Sequence, residues 1–201
     1  MTPFEQAYYL GMLNYFKSLY AASGEDYLSA AQSFHQALAD YESALSGAAD
    51  AEIKLNLGSA VAVLKGFINV DIVPAPDVEV ADLTKPWPWQ DSSIDYVRAS
   101  HVIEHLPDKI LTMNELWRVL KHGARADITV PTTDGPGAWQ DPTHVSFWNR
   151  NSFLYYEAGS PYQILGALQY KIKAQFRTVR EALTFTLDGP ILSITLEAVK
   201  Q

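Results

Sequence analysis

The 201-residue chain contains no cysteine. That excludes a disulfide framework and any zinc site built on thiolates, and it fits a reducing compartment. Cationic side chains are outnumbered, 15 Lys and Arg against 23 Asp and Glu, for a formal charge of −8. Such a balance argues against non-specific attraction to nucleic acid or to an anionic membrane. No apolar run approaches the ~18 residues of a membrane span. The opening Met-Thr-Pro-Phe-Glu-Gln lacks the basic-then-apolar order of a secretory signal. These absences predict a cytoplasmic protein with neither a nucleic-acid nor a membrane partner. Apolar residues are plentiful at 48%. That is enough for a buried core, and the length suits one domain with a small appendage.

Two periods divide the chain. Over 3–46, Phe4, Tyr8, Met12, Tyr15 and Leu19, then Leu28, Phe34, Leu38, Tyr41 and Leu45, recur at helical spacing. Ser23-Gly24-Glu25-Asp26 separates the two runs. Residues 1–50 are therefore expected to form a helical extension. It would serve as a cover for the acceptor site or as the interface of a homodimer. From residue 51 onward the pattern becomes α/β. Strands are predicted near 53–57, 67–73, 77–80, 94–99 and 125–130, with a helix over 107–121 opened by Pro107. This alternation predicts a mostly parallel sheet in a domain over 51–201. Only nine residues separate Leu57 from Phe67. A crossover containing a full helix needs about a dozen, so a tight loop or a single turn is expected there. Residues 132–150 form a long polar loop of the kind that carries function. Two strand-like runs around Asp188-Gly189-Pro190 predict a C-terminal antiparallel hairpin.

Polar residues follow the predicted strands in turn. Gly58-Ser59-Ala60 follows the first and Asp71 ends the second, while Asp82-Leu83 and Ser100-His101 follow later ones. Strand ends of a doubly wound sheet open onto one edge, where a nucleotide-like ligand lies. A turn after the first strand needs a residue without Cβ, which Gly58 supplies. A carboxylate at Asp71 can accept from two ribose hydroxyls, and one at Asp82 from an adenine amino group with Leu83 against the ring. Taken singly, each is also readable as an ordinary turn residue. The order His101-Val-Ile-Glu104-His105 matches an inverted zinc-peptidase motif. His101 directly follows a strand, however, so the two imidazoles need not share a helix turn, and no metal is expected. His105 and Glu104 then line a pocket or pack. In the long loop, His144 can take a proton from a hydroxyl, with Asp141 orienting it. Trp87, Trp89, Trp139 and Trp148 line an aromatic pocket or fill the core.

Taken together, these segments resemble the class I, Rossmann-like S-adenosylmethionine-dependent methyltransferases. The resemblance runs over about 54–155. It rests on the Asp82-Leu83 pair followed by Pro86-Trp87-Pro88-Trp89, on Asp91-Ser92-Ser93-Ile94-Asp95, on the His101-to-His105 string, and on Arg118-Val-Leu-Lys-His122-Gly123-Ala124. Residues 141–153 also resemble a loop of members with carbohydrate or cell-envelope associations. The resemblance implies that Gly58, Ser59 and Ala60 face the methionine part of S-adenosylmethionine. It likewise implies that Asp71 holds the ribose, Asp82 and Leu83 the adenine, and Ser100 and His101 the sulfonium side. Ala60, Ala62 and Ala124 stand where further glycines are usual.

The expected function is methyl transfer from S-adenosylmethionine to a small-molecule acceptor, at oxygen, with a sugar or envelope-related metabolite as one candidate. His105, Asp141 and His144 are the candidate catalytic residues. The alternative, motivated by the missing glycines, is a degenerate fold that acts as a binding or scaffold subunit.

Overall fold

The computed structural model describes residues 52–60 and 62–200. The helical extension expected over 1–50, with its lid and dimer roles, lies outside the described residues. By contacts the chain divides into two units, Met1–Ala51 and Glu52–Gln201.

The second unit is one seven-stranded sheet. Its strands are β1 (Lys54–Leu57), β2 (Ile68–Asp71), β3 (Val78–Val80), β4 (Ile94–Ser100), β5 (Leu120–Pro131), β6 (Phe176–Thr186) and β7 (Gly189–Ala198). They lie in the order β3-β2-β1-β4-β5-β7-β6. β1 to β5 are parallel, and β7 pairs antiparallel with both β5 and β6. The predicted mostly parallel sheet with a C-terminal hairpin is what forms.

Alternation explains which face is buried. Leu55, Leu57, Val70, Val97, Ala99, Ala126, Ile128, Leu192, Ile194 and Leu196 point to one side and are buried in the main core. Helix α1 (Lys109–Val119) adds Met113, Leu116 and Val119 to that core. In-register neighbours on the other face are polar: Asn56 beside Arg98 on one flank and Asn69 on the other, Arg98 beside Asp127, and Asp127 beside Thr195. Tyr96 Oη and Thr195 Oγ1 each donate to the Asp127 carboxylate at 2.6 Å. Parallel strands are usually apolar on both faces because helices cover both. Here a period of two survives in a parallel sheet, and among the described residues the cleft over the polar face, about 380 Å³, is lined by strand residues.

The short first crossover contains no helix among its described residues. Its backbone is satisfied by two buried amides instead. Asn69 Oδ1 accepts from Leu64 N (2.8 Å) and Asn56 Nδ2 (3.0 Å), and Asn56 Nδ2 also donates to Ala62 O (2.9 Å). Arg98 Nη1 donates to Asn56 Oδ1 at 3.0 Å. Buried loop backbone needs partners, and this amide pair supplies them.

Three elements differ from expectation. β5 begins at Leu120, directly at the end of α1, so Gly123 (φ +76°) lies inside the strand and not between the two elements. A second helix, α2 (Pro161–Gln169), is capped by Ser160, whose hydroxyl accepts from Gln163 N. The hairpin turn sits one residue earlier than expected, since Thr186 pairs with Gly189 and Pro190 belongs to β7. The 132–150 segment is an ordered loop with one 3-10 turn, Pro136–Ala138. It is pinned to the hairpin by Thr132 N donating to Pro190 O (3.0 Å) and Gly137 N to Asp188 O (2.7 Å).

Candidate functional site

The first strand delivers Gly58 at φ +60°. A Cβ there would lie 2.6 Å from Val102 Cγ2, so the position needs glycine for conformation and for protein packing alike. Ser59 is buried and donates its N–H to Val70 O at 2.9 Å, but its Oγ has no hydrogen-bond partner. Ala60 also takes a left-handed conformation, φ +43°, and donates its N–H to Asp71 Oδ2 at 2.8 Å. Asp71 Oδ1 accepts from Val73 N at 3.0 Å. Asp71 thus closes the strand-end turn with one lone pair on each oxygen and keeps one on each, since a carboxylate offers about four acceptor sites.

Asp82 is exposed, and its Oδ1 accepts from the Thr84 hydroxyl (2.6 Å) and from Thr84 N (2.9 Å). Those bonds, the hydroxyl first, hold its carboxyl below the usual range. Leu83 is buried in the core, and its carbonyl accepts from Trp87 Nε1 at 3.2 Å, which leaves little side chain for a ring. Ser100 ends β4 opposite Thr129. His101 follows at φ +54°, with its N–H donated to Thr129 O at 2.9 Å. A non-glycine residue held at positive φ at a strand end is a mark of a functional edge.

These residues fit a nucleoside-bearing cofactor. The carboxylates of Asp71 and Asp82 keep acceptor capacity, and Ser59 contributes an orphaned hydroxyl at the same turn. Sequence reasoning brings Gly58, Ser59, Ala60 and Asp71 together correctly, because consecutive parallel strands end side by side.

A second group lies beyond β4. Residues Ile103–His105 form a 3-10 turn. The 141–148 loop docks on it: Val145 N (3.0 Å) and Ser146 N (2.9 Å) donate to Glu104 O, and Ser146 Oγ donates to Ile103 O at 2.9 Å. Trp148 Nε1 in turn donates to Ser146 Oγ at 2.9 Å. This docking sets the His105 and His144 rings 4.9 Å apart, edge to face. His105 Nδ1 lies 3.2 Å from Thr143 O, and His144 Nδ1 lies 3.2 Å from Ala138 O. A carbonyl can only accept, so each Nδ1 donates there, and Nε2 is the acceptor nitrogen of whichever ring is neutral. Asp141 Oδ1 accepts from Thr143 Oγ1 (2.6 Å) and Thr143 N (2.8 Å), and these bonds, the hydroxyl first, lower its pKa. Its Oδ2 lies 3.8 Å from His144 Nε2.

A cleft of about 270 Å³ between this group and the hairpin tip is lined by His101, Glu104, His105, Asp141, His144 and Asp188. The Glu104 side chain is only 2% exposed. His101 Nδ1 approaches its Oε1 at 3.3 Å, short of hydrogen-bond geometry, so neither carboxylate oxygen is hydrogen-bonded. The nearby Glu104 carboxylate raises the His101 pKa, against the effect of desolvation.

Two features escaped sequence reasoning. One is the burial of Glu104, which depends on a loop 40 residues further along the chain. The other is a larger cleft of about 680 Å³ beside Lys109, Trp148, Tyr155 and Tyr156. Lys109 Nζ donates to Phe147 O and stands 4.7 Å from the centroid of the Trp148 ring, and burial lowers its pKa. The four tryptophans do not form one pocket. Trp87 and Trp148 are core residues, Trp89 meets Trp87 edge-on at 6.0 Å, and Trp139 is exposed and stacked on Phe147 at 4.3 Å.

The methyltransferase-domain family matches residues 57–126. No curated protein matches the chain. Among solved structures, a SAM-dependent methyltransferase from Archaeoglobus fulgidus is similar at 16% identity and TM-score 0.51, covering 86% of this chain and 100% of that one. N-methyltransferase NodS from Bradyrhizobium japonicum WM9 is similar at 11% identity and TM-score 0.50, covering 74% and 86%. The [4+2]-cyclase SpnF is similar at 11% identity and TM-score 0.54, covering 76% of each chain. At such identities the likeness is one of fold. No described helix is long and apolar enough to cross a membrane. Residues 57–126 thus match a methyltransferase domain, and the sheet has the fold of the class I, Rossmann-like methyltransferases.

Proposed function

We propose that the protein transfers a methyl group from S-adenosylmethionine to a hydroxyl of a small acceptor held in the His105–Asp141–His144 cleft. The cofactor, when bound, supplies an electrophilic methyl on a sulfonium. Asp71 accepts from the ribose hydroxyls and Asp82 from the adenine amino group, while Ser59, Ser100 and His101 border the methionine end. Alignment of acceptor and methyl is the chain's main contribution. His105 and His144, each fixed with Nδ1–H on a backbone carbonyl, present Nε2 lone pairs that draw on the acceptor hydroxyl's proton. Asp141, with Oδ2 3.8 Å from His144 Nε2, stabilises the positive charge that proton transfer places on that ring. The observation carrying this reading is that pair of imidazoles, 4.9 Å apart with each Nδ1 beside a backbone carbonyl, in one cleft with the His101 that follows β4.

Calorimetric titration with S-adenosylmethionine, followed by tritiated-methyl transfer to a panel of polyols, sugars, phenols and amines, tests it. The expected result is binding, with label in a hydroxyl acceptor and at least a hundred-fold loss of rate in His144→Ala with cofactor affinity kept. Label found only in amines would overturn oxygen as the site. A second reading, a non-catalytic binding subunit, is favoured by one observation, Ala60 at φ +43° in the cofactor turn. It predicts no cofactor binding at millimolar concentration.

A further inference from the structure

We propose that Glu104, His105 and His144 form a binding site for a first-row divalent cation, with Asp141 at its margin, and that this cation holds the acceptor hydroxyl. The inference deepens the hydroxyl-methylation reading above and rests on it for the role of the cation, though not for its binding.

Three independent observations converge. One donor atom from each of Glu104, His105 and His144 lies within 4.8 Å of the other two. Ligands about 2.1 Å from a shared ion stand roughly 3–4 Å apart, so a small contraction completes the site. The Glu104 carboxylate is buried with neither oxygen hydrogen-bonded. An uncompensated buried carboxylate is costly, and the cationic candidates beside it among the described residues are imidazoles, the half-exposed His101 at 3.3 Å and the proposed ligands His105 and His144. Both histidines donate Nδ1–H to a main-chain carbonyl. That outer contact is the one metal-binding imidazoles use to fix the other nitrogen as ligand.

The donors select the ion. Two imidazoles and a carboxylate suit manganese, cobalt or zinc in the divalent state better than calcium or magnesium, which prefer all-oxygen cages. The absence of a metal, expected from the sequence, was judged on His101 paired with His105. The convergent set instead replaces His101 with His144, from 39 residues further along than His105.

The cleft leaves coordination positions for acceptor oxygens, so an acceptor with two adjacent hydroxyls can chelate. In the cation-bound form the imidazoles serve as ligands. The acceptor O–H bond breaks and its proton leaves to water, as a Lewis acid promotes. The oxygen then forms a bond to the methyl carbon while the carbon–sulfur bond breaks, its electron pair remaining on sulfur.

The test uses full-length, tag-free protein stripped with EDTA. Manganese is titrated by loss of the free-ion electron paramagnetic resonance signal, and cobalt by its visible absorption. S-adenosylmethionine affinity is measured in parallel by calorimetry. One cation per chain is expected, with at least tenfold weaker binding in Glu104→Gln and in His144→Asn. Circular dichroism and unchanged cofactor affinity report that each variant is folded, and His144→Asn serves alone if Glu104→Gln is not. No stoichiometric cation in the wild type, or variants that bind as the wild type does, overturns the site. Cofactor binding without a cation sinks the site and spares the methyltransferase reading. A cation without cofactor binding spares the site and sinks that reading.

Discussion

Gly58 and Ala60 hold the same left-handed backbone, φ +60° and +43°, yet only glycine adopts it without steric cost. Two substitutions should move in opposite directions. Ala60→Gly should raise stability to urea, by up to about 1 kcal/mol once the greater freedom of glycine in the unfolded chain is deducted. Gly58→Ala should lower it by about 1–3 kcal/mol or more, because a Cβ there meets Val102 Cγ2 at 2.6 Å. Urea midpoints of the two variants check both signs, and equal shifts would contradict the geometry. A glycine after the first strand was legible in the sequence; its reason was not, because Val102 is 44 residues away. The same holds for Glu104. Its place in the His101-to-His105 string was visible, but its burial depends on Val145 and Ser146 docking on its carbonyl. Pattern within one segment carries no information about which distant loop will cover it.

At the scale of elements, α1 is tied to the loop before β4 by two residues, Arg118 and Glu115. Arg118 donates to Glu115, to Asp91, and to the carbonyls of Trp87 and Trp89, while Glu115 accepts from Trp87 N at 2.7 Å. The Arg118 guanidinium, foremost among the causes, holds the Glu115 carboxyl below its usual range. Glu115→Gln should therefore cost about 1.5–3 kcal/mol near neutral pH, the range for hydrogen bonds to charged groups. A depressed folded pKa adds stability that is full above the unfolded value, about 4.3, and is lost as pH falls through the lower folded value. The gap in urea midpoint between wild type and Glu115→Gln should accordingly close below about pH 4. A gap that does not narrow at all as pH falls below the unfolded value would assign the loss to packing. The strands were legible because each alternates or ends in a turn residue, and α1 because its apolar residues recur at helical spacing. Helix α2 was missed although Ser160-Pro161 is a sound start signal, since its nine residues include Gly166 and expose Ile164 and Leu168. The early start of β5 was hidden because no breaker separates it from α1.

Across the whole molecule, Glu52–Gln201 is one compact unit that holds a core from Leu55 to Ala198. A fragment of residues 52–201 is therefore expected to fold by itself, with one cooperative urea transition detected alike by tryptophan fluorescence and circular dichroism. Non-coincident transitions would mean that residues 1–51 complete the core. The mostly parallel sheet and its C-terminal hairpin were legible in the sequence, whereas the strand order was not, because a period of two is the same in any order. The hairpin's reach was not, because the contact of Asp188 O with Gly137 N joins residues 51 positions apart. That contact divides responsibilities along the chain. The proposed cofactor turns come from the ends of the first parallel strands, whereas the opposite wall of the small cleft comes from Thr186, Asp188, Pro190 and Ile191 at the tip of the last hairpin. Under the proposed function, descendants of this chain would change what they methylate by substitutions within 186–191 alone, leaving the turns that recognise the nucleoside as they were inherited.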